Sequence, residues 1–243
     1  MKISSIILLL LFSIFAKGQQ TKQWLENIET PKYDIDKLKK ENLKEKYLQY
    51  DFSTLLSPRS EFLGYIGSDF RRLKIFFTAL SKNQTDPNRY DIKGFSLVGV
   101  NKCDLTGIIT ITQIREFKYL HLGADDIYKD SSIISQGLLI GNFELKEDST
   151  QSNSGVMKGI MTLSWYLGKS GIIHYDDIEY HSSDRYCNNQ YVGTWIDYNK
   201  HDGKVSNWGE YRIPFSGDLD IGAGEFSPNK KYSDKGWHDY HVD

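Results

Sequence analysis

The chain has 243 residues, of which 39% are hydrophobic, and its formal net charge at pH 7 is −2. This length is enough to bury one good hydrophobic core. The mildly acidic balance provides no electrostatic attraction to nucleic acids or anionic membranes, so neither is expected as a partner.

The first 18 residues have the pattern of a secretory signal peptide. Lys2 is a short basic region, residues 3–15 carry no charge, and Ala16 and Gly18 are the small residues before a cut at Gln19. The basic residue holds the chain at the inner surface of the membrane, and the apolar run enters the translocon. The small residues fit the pocket of the signal peptidase. The apolar run is too short for a permanent helix across a ~30 Å bilayer core. We therefore expect export to the periplasm or the medium, with no transmembrane segment after cleavage.

Residues 19–60 are predicted to form a polar helical arm. Trp24, Leu25 and Ile28 could share one face of a short helix that ends at Pro31. The spacing of apolar residues then predicts a second helix over 34–47. Its apolar stripe is thin, so we expect this helix to pack on the outside of a larger domain.

Residues 61–243 are predicted to be a single β-rich domain, because apolar and polar residues alternate there. In one strand Leu105, Ile109, Ile111 and Phe117 face one way, and Thr106, Thr110, Thr112 and Glu116 face the other. In another, Met157, Met161, Leu163, Trp165 and Leu167 share a face. This alternation is typical of antiparallel sheets with one solvated side. About nine or ten such runs favour an antiparallel barrel or sandwich.

Glycines recur at similar places in two successive predicted hairpins. Gly94 and Gly107 lie in the first hairpin, and Gly141 and Gly159 lie in the second. Glycine inside a strand usually marks a bend, a bulge or a close backbone approach. Two glycine-kinked hairpins would curve a sheet towards closure.

The tripeptide Gly193-Thr194-Trp195 resembles the Gly-x-Trp signature of the lipocalin and avidin barrels. That resemblance implies a cup-shaped barrel in which the tryptophan closes one end and a small, mostly apolar ligand is held. The signature normally lies in the first strand, whereas here it lies near the end of the chain. The overall layout is similar to uncharacterised exported β-rich proteins of the Bacteroidota, which implies no activity.

Two cysteines are candidates for a disulfide, and one acidic loop is a candidate for a metal site. Cys103 and Cys187 would be joined in an oxidising compartment if they met in the fold, and otherwise each would be a buried apolar residue. Asp218, Asp220 and Glu225 supply the oxygen ligands that Ca²⁺ prefers, but the spacing fails the EF-hand pattern. A polar turn explains the same residues, and no metal site is predicted.

No motif identifies a catalytic or cofactor site. In the run from His174 to His181, an extended backbone would place Asp177, Glu179 and His181 on one face, where they could chelate a metal or form an acid/base pair, although such a face is more often simply solvated. The chain lacks a Gly-x-Ser-x-Gly elbow and a phosphate-binding glycine loop. No cofactor is therefore expected.

The aromatic residues provide the remaining candidate site. Trp195, Trp208, Tyr211 and Arg212 are selected as the binding group, because exposed aromatics suit contacts with proteins or glycans. The sequence favours a non-catalytic exported protein that binds a small ligand, a glycan or an envelope protein. One alternative is a hydrolase of envelope or extracellular polymers, and another is a structural envelope protein. A cavity would favour the first, a cleft with two carboxylates the second, and a flat apolar patch the third.

Overall fold

The computed structural model describes residues 19–129, 132–180, 183–184, 186–200 and 203–240. The predicted signal peptide, residues 1–18, lies outside this part of the chain. The helical segments described are residues 19–29 (α1), Lys44–Tyr47 (α2) and Ser53–Leu56 (α3), with 3-10 turns at Asp34–Asp36, Ala124–Asp126, Gly217–Leu219 and Lys230–Lys235. The strands described are β1 (Leu63–Ile66), β2 (Arg71–Arg72), β3 (Lys74–Lys82), β4 (Arg89–Val98), β5 (Asn101–Glu116), β6 (Ile133–Glu147), β7 (Gly155–Gly168), β8 (Ile173–Tyr175), β9 (Asn188–Asp197) and β10 (Gly203–Glu210).

All of these strands belong to one antiparallel sheet that curls into a half-barrel. The order is β2-β1-β10-β9-β7-β6-β5-β4-β3, and β8 pairs with β7. Leu73 alone separates β2 from β3, and its N–H donates a 2.9 Å hydrogen bond to the carbonyl of Gly64. The two edge strands of the sheet are therefore consecutive in the chain. The prediction of a mainly β, antiparallel, barrel-like fold is confirmed.

The two predicted glycine-kinked hairpins correspond to β4–β5 and β6–β7. Ile92 pairs with Gly107 in the first, and Phe143 pairs with Gly159 in the second.

Within the described residues, none of the helices combines the length and the apolar character that a membrane crossing requires.

The segment after α1 closes one end of the half-barrel. Tyr47, Phe52 and Leu56 are fully buried there, and the ring of Tyr47 lies 4.5 Å from that of Trp165. Residues 34–46 lie largely at the surface as expected, with only Leu38 buried, but the expected outer position is wrong for Tyr47, which completes the core together with Phe52 and Leu56. We call this end of the half-barrel the closed end and the opposite end the mouth.

The helix expected over 34–47 is also wrong for most of its length. The backbone between the 3-10 turn and α2 runs beside the end of β5 instead. Lys39 N–H donates to the carbonyl of Glu116, and Leu43 N–H donates to that of Ile114, each at 2.8 Å. Since these groups find partners on β5, the helix does not form until Lys44.

A β-bulge in β5 changes which side chains face the core. The register shifts between Ile111 and Gln113. An extra residue in one strand moves all later side chains to the opposite face. Ile114 and Glu116 are consequently buried, and the expected outward position of Glu116 is wrong.

The C-terminal segment covers the convex face of β1 and β10. It builds a second apolar cluster, which contains Leu63, Tyr65, Ile213, Leu219, Phe226 and Trp237. Because this cover lies outside the sheet, it leaves the mouth uncovered.

Candidate functional site

A cavity of about 790 Å³ lies at the mouth of the half-barrel. We call it the mouth cavity. Its inner wall includes Leu73, Ser96, Val98, Glu147, Met157 and Trp195. At the closed end the equivalent interior is filled by α2, α3 and Trp165. The cavity is thus the part of the interior that the helices do not fill.

Glu147 is a buried charged group of this wall. It is the last residue of β6, and 6% of its surface is exposed. The Nε1 of Trp195 donates to Glu147 Oε2 at 2.9 Å, and the N–H of Gly155 donates to the same oxygen at 2.7 Å. The hydroxyl of Ser96 donates to Oε1. These three donors are neutral, and an ionised carboxylate can accept about four hydrogen bonds.

Trp195 forms the aromatic part of the wall. It is 6% exposed, and the ammonium of Lys204 lies over its ring, 5.5 Å from the centroid. Gly193 leaves room for the ring of Phe143, whose Cζ lies 2.8 Å from the position that a Cβ on residue 193 would occupy. The two ends of the Gly-x-Trp element therefore have different roles. Gly193 allows close packing in the core, and Trp195 lines the cavity.

Charged side chains surround the opening. Arg71 lies 3.9 Å from Asp69, and Lys200 lies 3.9 Å from Asp197. Backbone N–H groups of Lys200 and Asn199 also hold the pKa of Asp197 below its ordinary value. The Arg71–Asp69 pair is exposed and contributes little to stability, whereas Asp197 is buried beside an exposed Lys200. The main effect of these pairs is that Arg71 and Lys200 already have anionic neighbours.

The chain matches no family model, no curated protein and no solved structure.

The four residues of the predicted binding group do not meet in one place. Trp195 lines the mouth cavity, whereas Trp208 is fully buried and stacks on Tyr191 with 4.9 Å between ring centroids. Tyr211 and Arg212 line a separate depression of about 500 Å³. Trp195 and Trp208 lie on the paired strands β9 and β10, whereas Tyr211 and Arg212 follow the end of β10 at Glu210, so the group is divided between the sheet and the segment after it.

Tyr211 and Arg212 have structural partners in that depression. Tyr211 has a φ of 68°, and its ring lies 4.9 Å from Tyr180 and 5.0 Å from Tyr186. Arg212 donates to Asp220 at 2.6 Å and to the carbonyls of Asp184 and of residues 222–224 at 2.7–3.2 Å. This arrangement makes Arg212 a clamp on the C-terminal loop.

The predicted polar strand face over residues 174–181 is not formed. β8 ends at Tyr175, so the following side chains diverge. Asp177 pairs with Arg59 at 2.6 Å, and Glu179 lies 4.0 Å from Nδ1 of His121. His174 stacks on the ring of Tyr166, and His181 lies outside the described residues.

A small cavity of about 260 Å³ lies near the closed end, between His121, Asp176, Glu179 and Cys187. Burial raises the pKa of Asp176 to about 6. Its carboxylate accepts a 3.2 Å hydrogen bond from Gln136, whose side chain also bonds both backbone groups of His121. Asp176 thereby fixes the loop that carries His121.

The acidic loop of the C-terminal segment does not gather its carboxylates. Asp218 bonds Lys231 and Tyr232, Asp220 bonds Arg212, and Glu225 lines the depression beside Tyr211. In the described part of the chain, no group of three or more His, Cys, Asp and Glu side chains is placed to hold a metal ion.

Cys103 and Cys187 are not joined by a disulfide in the structure. Cys103 lies at the mouth end of β5, where its thiol donates to the carbonyl of Ser152 at 3.7 Å. Cys187 precedes β9 at the closed end. The half-barrel therefore separates the two thiols by the length of a strand.

Sequence reasoning missed Glu147, which nevertheless carries a recognisable signal. It follows Phe143 and Leu145 at two-residue intervals, and all three are buried. An acidic residue in phase with the apolar face of a strand is unusual, because burying a charge is costly. The position of Glu147 on the buried face of β6 therefore indicates the cavity wall.

Proposed function

We propose that this protein binds a small amphipathic molecule in the mouth cavity. The observation that carries the proposal is a cavity of about 790 Å³ in which the buried Trp195 and Met157 adjoin the buried polar groups of Glu147 and Ser96. Ligand sites in proteins are typically concave, about 300–1,000 Å³ in volume, and apolar with a few placed polar groups. The mouth cavity has each of these properties.

The site suits binding without catalysis. Apolar wall residues would remove the body of the ligand from water, which favours association by about 25 cal/mol per Å² of apolar area before the cost of ordering. Glu147 and Ser96 would fix its polar end. Among the residues that the structure describes, we find no comparable group of side chains that supports the hydrolase or the envelope-interaction alternative.

A blocking variant tests the proposal. Val98 lines the cavity, whereas Val100, in the adjoining turn, is fully exposed. Val98→Trp fills the cavity, and Val100→Trp adds the same side chain to solvent. Wild type would be screened by thermal shift against alkyl amines, alcohols and fatty acids, haem-like compounds and glycans. A ligand at a hundredfold excess over Kd stabilises by about 2.7 kcal/mol.

We expect at least one amphipathic compound to raise the melting temperature of wild type and of Val100→Trp, but not of Val98→Trp. A rise that persists unchanged in Val98→Trp would place binding elsewhere. No rise with any compound would remove the small-ligand proposal and favour a protein partner.

We also propose that the protein acts after export. This rests on the basic, apolar and small-residue order of residues 1–18. Expression in a secreting bacterium followed by N-terminal sequencing tests it. Export predicts a mature chain that starts at Gln19, and a retained Met1 would contradict it.

A further inference from the structure

Glu147 has no cationic partner among the described residues. Its side-chain hydrogen bonds come from a hydroxyl, a backbone amide and an indole, which are all neutral. On the same strand, the more exposed Glu144 is paired with Lys146 and Lys158, each at 2.9 Å. Buried charges in proteins are normally paired, since an isolated one is costly to remove from water. Glu147 departs from that rule where the wall borders the cavity.

The adjacent ring of Trp195 presents a surface that attracts cations. Tryptophan binds cations over its face more strongly than the other aromatic side chains. Lys204 already lies over this ring, at 5.5 Å, and its side chain reaches in from the exposed rim. Of the described lysines and arginines that line the cavity, Arg71 and Lys200 are next to Asp69 and Asp197. The carboxylate and the ring thus adjoin in the cavity wall, and each of them favours positive charge.

We propose that the ligand of the mouth cavity is a small organic cation, with an ammonium group held between Glu147 and Trp195 and an apolar body against the remaining wall. The inference rests on the proposed function and specifies its ligand class. A primary ammonium has three N–H donors, and the Glu147 carboxylate has capacity for one further hydrogen bond beyond its three neutral donors. Such a cation would supply the charge that compensates this carboxylate.

Three probes with the same apolar body test the inference: octylamine, octan-1-ol and octanoate. Their affinities for the full mature chain would be measured by titration calorimetry at about pH 7. We expect octylamine to bind at least about tenfold more tightly than the other two, since the carboxylate and the ring both favour it. Glu147→Gln should remove this preference and leave octan-1-ol binding within about twofold. Glu144→Gln, on the same strand, is the matched control and should retain the preference.

A second variant keeps the inference open to refutation if Glu147→Gln folds poorly. Lys204→Met removes an exposed ammonium that competes for the ring, so octylamine should bind more tightly and octanoate less tightly. Equal affinities for all three probes, or a preference for octanoate, would overturn the cationic ligand while the cavity still binds. No binding by any probe to wild type, with no compound active in the thermal screen, would instead remove the proposed function itself.

Discussion

The ring of Phe143 occupies the space that a side chain on Gly193 would need. A Cβ at Gly193 would stand 2.8 Å from Cζ of Phe143 and would also meet the carbonyl oxygen of Lys158. Phe143 in turn packs edge-on against Tyr191 and Trp208, with ring centroids 5.4 and 4.9 Å away. The glycine of the Gly-x-Trp element is therefore required by packing in the middle of the half-barrel.

Replacing this glycine should destabilise the fold. We expect Gly193→Ala to lower the free energy of unfolding by about 1–3 kcal/mol, because neither the carbonyl nor the ring can move away freely. Urea denaturation measures the change. Gly168→Ala is the control, since its nearest neighbours would be 3.5 Å from the new Cβ. Equal stability of the two variants would contradict the packing role.

Arg212 should behave as a structural clamp and not as a binding residue. Arg212→Lys replaces a planar guanidinium by a point charge that cannot reach the same acceptors. We expect a loss of about 1–3 kcal/mol, with faster hydrogen exchange in residues 218–227 and unchanged octylamine affinity. Arg89→Lys is the control, because Arg89 is half-exposed and pairs with Asp91. A loss of ligand affinity without loss of protection would restore the predicted binding role of Arg212.

Glu116 should make stability depend on acid pH. Burial alone would raise its pKa, but hydrogen bonds from Lys39, Tyr47 and Lys46 outweigh burial and lower it to about 2. A carboxyl with a lowered folded pKa stabilises above its unfolded pKa of about 4.5, and this stabilisation is lost as pH falls towards 2.

We expect Glu116→Gln to lower the free energy of unfolding by about 1–3 kcal/mol at neutral pH. This range allows for solvent screening, because Lys39 and Lys46 are half-exposed. The difference from wild type should shrink between about pH 4.5 and 2. Unfolding by urea at several pH values measures it, with the exposed Glu45→Gln as the control. A difference that is constant with pH would exclude the ionised carboxylate as its cause.

Both cysteines should remain thiols when the protein is kept without a reductant. Burial raises the pKa of Cys103, so its thiol should react slowly with Ellman's reagent in the native state and fully in denaturant without reductant. A reductant should leave the melting temperature unchanged. A peptide in which Cys103 and Cys187 are linked, found by non-reducing mass mapping, would contradict the structure.

The sequence predicted the strands well because burial on one face enforces a two-residue period. Met157, Met161 and Leu163 are all buried, as that period requires. It failed at Glu116, because a bulge is a property of pairing between strands and leaves no mark on one strand's pattern. It failed over 34–47 for a related reason: the hydrogen bonds that replace the helix come from β5, a distant part of the chain.

The candidate site was predicted less well than the fold. Of the two tryptophans in the predicted binding group, Trp195 lines the cavity, whereas Trp208 is in the core. Both side chains belong to the same core cluster, but Trp195 pairs with Lys204 near the start of β10 and Trp208 pairs with Tyr191 near its end, so the two lie apart along the strands. Glu147 was missed since its role depends on Trp195 and Ser96, which lie on other strands.

The pairing of β1 with β10 determines when the sheet can be completed during folding. Leu63 pairs with Gly209. The first strand, β1, can therefore complete its pairing only after the last strand, β10, is available. Contacts between distant parts of a chain form slowly, because ordering the intervening residues precedes any gain from the contact. A chain cut before Gly203 would leave β1 and β9 with unpaired edges, and such edges recruit other chains. Folding of this protein is thus exposed to aggregation until β10, residues 203–210, is present.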